Sequence, residues 1–130
     1  MSAHYSFNLT GGKTMSQASE ILATEQAKWA KFTELSPDVI GAFGQMRQAS
    51  CKEGGALDFK TIELISIAVA VARKCEPCIL SHIQCAVEAG ATREELAAAL
   101  NATILLCGGP GWAYSAKALD AFDQMSADKE

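Results

Sequence analysis

A chain of 130 residues, 49% hydrophobic and 20% charged, reads as a single globular domain. Its formal net charge of −4, with no run of Lys and Arg, argues against nucleic acid and anionic membrane as partners. Abundant alanine, only three prolines and 7% aromatics favour helix over sheet.

The first 16 residues are polar, contain Gly11 and Gly12, and read as a flexible arm ahead of a folded domain at 17–130. They lack a charged segment followed by an apolar one, so no secretory signal is expected and the default address is cytoplasmic. "GGKT" resembles the end of a phosphate-binding loop, but Phe7 stands where that motif requires glycine. His4 is expected to be solvated. The longest apolar run, Leu64 to Ala72, is nine residues. A bilayer span needs about 20.

A first helix is expected over Gln17 to Leu35, with Leu22, Trp29 and Phe32 on one face. Lys28, Lys31, Glu25 and Glu34 form a solvated face. Ser36, Pro37 and Asp38 signal a cap and a helix start, placing Val39, Phe43 and Met46 on one stripe. That helix should stop near Cys51, ahead of Gly54 and Gly55. Asp58 caps a third helix, Phe59 to Lys74, which is apolar almost all round and so expected to be buried on most sides. Pro77 restarts the chain in a helix ending at Gly90. "TREE", Thr92 to Glu95, is a capping box that opens a helix to Leu105 or Leu106. Gly108 to Gly111 break the chain, and a last helix runs to about Met125. The expectation is an all-α, single-domain bundle of about six helices. Its third helix is more apolar than one subunit readily covers, which implies a homo-oligomer formed through apolar helices.

The chemistry concentrates in "RKCEPCILSHIQCA", residues 73 to 86. Five cysteines in a reducing compartment are an odd number and a poor disulfide framework, so closely spaced ones point to redox or metal chemistry. Cys75 falls at a helix start and Cys78 in the first turn. There the exposed N–H groups favour an anion and can lower a thiol's pKa from about 8.5 to roughly 3.5–7.5. Cys75 is spaced to close a disulfide with Cys78. His82, four residues on, shares a helix face with Cys78 and suits proton exchange with it near neutral pH. Glu63 interrupts an apolar stretch. It serves either as a proton acceptor close to His82 or merely as a charge answering its own helix dipole. Cys75, Cys78, His82 and Cys85 also make a zinc or redox-sensing reading available, although one helix rarely wraps four ligands around an ion. The motif is not a haem attachment, since Ile79 follows Cys78. Cys85 and Cys107 lie among apolar residues and read as core hydrophobes, while Cys51 reads as the cap of a surface helix end. Trp112 and Tyr114 are expected to pack on a neighbouring helix.

The spacing Glu63, eleven residues, Cys75, two residues, Cys78, three residues, His82 resembles the signature of the alkylhydroperoxidase D-like group. That group belongs to the carboxymuconolactone decarboxylase superfamily, and the resemblance covers about Ala56 to Phe122. It implies an all-helical fold, commonly trimeric or hexameric, and a thiol-dependent oxidoreductase that reduces peroxides or disulfides. By matching positions, Cys78 is implied as the peroxidatic thiol, Cys75 as the resolving thiol, and Glu63 and His82 as the proton relay. In the founding member a second histidine lies between the cysteines. Here Glu76 and Pro77 fill that gap, so the relay is one group shorter. The implied partners are a small hydroperoxide and a dithiol or lipoyl-type reductant. No cofactor and no metal are expected, because the sulfur pair itself stores both electrons. Members that act on lactones lack the paired cysteines, which leaves lactone chemistry as a lesser alternative.

Overall fold

The computed structural model describes residues 14–130. The described residues form six helices and no strand: α1 (Gln17–Leu35), α2 (Pro37–Ser50), α3 (Phe59–Ala72), α4 (Glu76–Glu88), α5 (Arg93–Cys107) and α6 (Gly109–Asp128). His4 and most of the expected N-terminal arm lie outside these residues.

Local chemistry explains most helix ends. Ser16 caps α1 by accepting from the Ser19 backbone N–H, and Asp58 caps α3 by accepting from that of Thr61. Thr92 and Glu95 form both halves of the expected capping box on α5. At the end of α4, Gly90 takes φ 81° while its N–H bonds to Val87 O and the Ala91 N–H to Ala86 O. Only a residue without Cβ adopts that conformation freely. The break between α5 and α6 is a single residue, Gly108 at φ 66°.

The core forms where α3, α4, α5 and α6 pack together, with the first half of α1 laid over α4 and α6. Ile67, Ile83, Leu96 and Ala118 are wholly buried, alongside Leu22 and Val71. Such residues supply the main driving force; truncating a buried Ile or Leu to Ala costs about 2–5 kcal/mol. The start of α1 and the end of α6 are tied together through Asp128. Its carboxylate accepts from the Ser16 N–H at 3.0 Å, the Ser16 hydroxyl at 2.7 Å and the Ser19 hydroxyl at 2.6 Å.

Four apolar features of the sequence are more exposed in the structure than their patterns suggest. On the first helix face only Leu22 is buried; Trp29 and Phe32 are exposed. The stripe Val39, Phe43 and Met46 is exposed too, and α2 contributes no buried residue. The 3.6-residue period identifies an apolar face without fixing what covers it; within this chain the backbone of α2 runs close to α1, and α2 reaches α3 and α4 through the Arg47 side chain. The third helix is buried on one side and exposed on another. Glu63, Ile67, Ala70 and Val71 face inward, whereas Phe59, Ile65 and Val69 are exposed. Cys107, finally, is exposed beside Leu105 and Leu106 instead of sitting in the core. It is the last residue of α5, where the chain leaves the bundle to turn into α6.

Candidate functional site

The turn between α3 and α4 sets the geometry. The Lys74 N–H bonds to Val71 O and the Cys75 N–H to Ala70 O, closing the end of α3. This closure needs a left-handed residue, and Lys74 supplies it at φ 55°, the one non-glycine at positive φ among the described residues. Immediately after it, Cys75 is extended and caps α4, its Sγ accepting from the Cys78 N–H at 3.4 Å. Pro77 sits in the first turn, where its missing N–H costs nothing. The cysteines are joined as a Cys75–Cys78 disulfide. Cys78 is the more exposed of the two, with Cys75 half-buried.

The turn folds α4 back along α3 and brings Glu63 to His82. His82 Nδ1 and Glu63 Oε2 are 2.6 Å apart. The Glu63 side chain is 1% exposed and the His82 side chain 23%. With Nδ1 engaged by the carboxylate, Nε2 is the ring nitrogen left for the cysteines. Among the described residues no hydrogen bond joins the His82 ring to either sulfur in this oxidised form. A disulfide carries no proton to exchange, so the bond has no role until the pair is reduced.

Glu63 has a second partner that the sequence did not announce. Arg47, in the last turn of α2, places a guanidinium nitrogen 3.2 Å from Glu63 Oε1. The same nitrogen lies 3.5 Å from Cys85 Sγ. An isolated arginine sixteen residues away carries no spacing signal; only the docking of α2 reveals it. Two oxygens of one buried carboxylate thus serve two different groups, which is how such a charge is kept in the interior.

Cys85 is half-buried beside this cluster and not packed as a plain core residue. Burial pushes its thiol pKa up, the Glu63 charge adds to that, and Arg47 opposes it. Cys85 is therefore held as a thiol. Cys51 stands where the sequence put it, at the C-cap of α2. Trp112 is exposed, while Tyr114 packs against the core. Among the described residues no group of three or more His, Cys, Asp or Glu side chains is arranged to hold a metal ion. No described helix is long and apolar enough to cross a membrane.

The site can therefore store two electrons in a sulfur pair at a helix start, next to a buried carboxylate–imidazole pair. An uncharacterized protein from Cupriavidus necator is 38% identical over 94 residues, spanning 72% of this chain and 82% of that one. An uncharacterized protein from Haemophilus influenzae is 45% identical over 91 residues, 70% of this chain and 80% of the relative. The crystal structure of a carboxymuconolactone decarboxylase family protein from Legionella pneumophila superposes with a TM-score of 0.80 at 41% identity, covering 85% of this chain and 97% of the other. The sequence profile of the carboxymuconolactone decarboxylase family matches residues 37–121, and the chain belongs to that family.

Proposed function

We propose that the protein is a thiol-dependent oxidoreductase of the alkylhydroperoxidase type, reducing a hydroperoxide at Cys78. The observation that carries this reading is the Cys75–Cys78 pair in the first turn of α4, on the helix that also bears the Glu63-bound His82. In the reduced enzyme His82 Nε2 takes the Cys78 proton, and the helix start stabilises the thiolate. The thiolate attacks the terminal oxygen of the hydroperoxide. An S–O bond forms, the O–O bond breaks, and the alkoxide leaves as an alcohol with the proton held on His82. Cys75 then attacks the Cys78 sulfenic acid, forming the disulfide and releasing water. A dithiol or lipoyl-type donor returns two electrons and two protons.

The greater exposure of Cys78 suits it to meet the substrate, and the half-buried Cys75 suits the second step. Exposed apolar faces on α1, α2 and α3 support a homo-oligomer, trimeric or hexameric by analogy. The formal net charge of −4 favours neither nucleic acid nor an anionic membrane as a partner.

Thiol titration tests the reading. The reduced protein has five thiols; one equivalent of hydroperoxide should leave three, those of Cys51, Cys85 and Cys107. Loss of a single thiol, or stoichiometric zinc in the purified reduced protein, contradicts it. Lactone chemistry at the same site would instead give an activity that survives Cys78→Ser.

A further inference from the structure

Arg47 belongs to the helix with least claim on the core. Nothing on α2 is buried, yet this one side chain reaches across to α3 and α4. Its position in the last turn would be satisfied by the helix dipole alone, with the side chain left in solvent. Instead its guanidinium bonds to a carboxylate that is 1% exposed.

We infer that Arg47 is a positioning residue for the relay: it pins Glu63 so that His82 presents Nε2 to Cys78. This rests on the oxidoreductase reading and extends it to α2. The argument is geometric. A carboxylate held by one oxygen alone can turn about its terminal bond. With Oε1 fixed on Arg47 and Oε2 on His82 Nδ1, both its plane and the tautomer of the ring are set. The guanidinium also gives a carboxylate taken out of water a second hydrogen-bonded partner. The groups around Glu63 are Arg47 from α2 and His82 and Cys85 from α4, with Glu88 acting on Cys85 from the next turn. Among the described residues no titratable side chain of α5 or α6 bonds to Glu63. Among the described residues Arg47 is the one permanent cation bonded to Glu63, and its loss leaves the carboxylate held by His82 alone. Free to turn, Glu63 no longer fixes the His82 ring with Nε2 towards Cys78, and the Cys78 proton is held more tightly.

The test is the pH dependence of Cys78 alkylation in the reduced full-length protein, read by site-resolved mass spectrometry, for wild type, Arg47→Met and Arg47→Lys. Hydroperoxide turnover, melting temperature and circular dichroism are followed in parallel. In Arg47→Met the acid limb should move up by about one pH unit, a roughly tenfold loss of rate below it. The turnover number should fall with KM little changed, and helix content should be kept, since α2 buries nothing. Arg47→Lys keeps the charge and should recover most of the shift. Superimposable profiles for wild type and Arg47→Met overturn the role of Arg47 and leave the oxidoreductase reading intact. Equal losses in the Met and Lys variants, tracking a lower melting temperature, also overturn it by reducing Arg47 to a structural tie. A wild-type Cys78 that alkylates like free cysteine sinks the oxidoreductase reading, and this inference with it.

Discussion

Glu63 Oε2 lies 2.6 Å from His82 Nδ1, joining the first half of α3 to the middle of α4 through a carboxylate that is almost wholly out of water. A bond of this kind fixes a ring as well as a charge. Glu63→Gln keeps the volume but leaves Arg47 and His82 facing a neutral amide. We expect turnover to fall about 100-fold, within the range of a lost general base. His82→Gln should act similarly. Because the two residues work as a unit, the double variant should lose little beyond the worse single one. Steady-state kinetics of the three variants decide this; strictly multiplicative losses would show that the residues act separately.

The two sulfurs should fail differently. Cys75→Ser leaves Cys78 able to attack but unable to resolve, so hydroperoxide should convert it to a sulfenic acid that dimedone traps in near-stoichiometric yield. Cys78→Ser should give no adduct at Cys75 under the same conditions. Intact-mass spectrometry distinguishes them, and the reverse labelling pattern would exchange the two roles.

The helices were legible because their ends are written locally. Asp58, Thr92 with Glu95, Pro77 and Gly90 each act within a few residues, and each marks a boundary in the structure. The Glu63–His82 contact was one of two readings the sequence left open, and the packing of α4 on α3 decides between them. A short turn between two helices leaves antiparallel packing as the simple outcome, and a lone carboxylate in an apolar helix needs a partner. Arg47 was not legible, since its role depends on where α2 docks. The apolar faces of α1 and α2 misled for the same reason. Trp29, Phe32 and Phe43 have the period of a core face, but the described helices leave them exposed.

Lys74 marks a place where backbone geometry outranks residue preference. A left-handed lysine costs about 1 kcal/mol, which glycine avoids. Lys74→Gly should therefore hold or raise stability, offset in part by the greater freedom of the unfolded chain. Lys74→Val, with a branched Cβ, should lower it and loosen the start of α4. Chemical denaturation of the oxidised protein measures both.

Cys85 gives a pH signature. Its folded pKa is raised above the usual value of 9.0, mainly by burial and next by the Glu63 charge. The folded protein then holds the thiol proton where the unfolded chain releases it. The resulting stability is full below the unfolded pKa and is lost as pH rises through the folded value. Unfolding free energy should thus decline above about pH 9, and less steeply in Cys85→Ala. Identical slopes in the two proteins would show that this thiol does not contribute.

The most direct measurement is turnover of an organic hydroperoxide with a dithiol donor in wild type, Cys78→Ser and His82→Gln. Near-complete loss in the first variant and a large drop in the second are predicted. Equal rates in all three proteins would contradict the account.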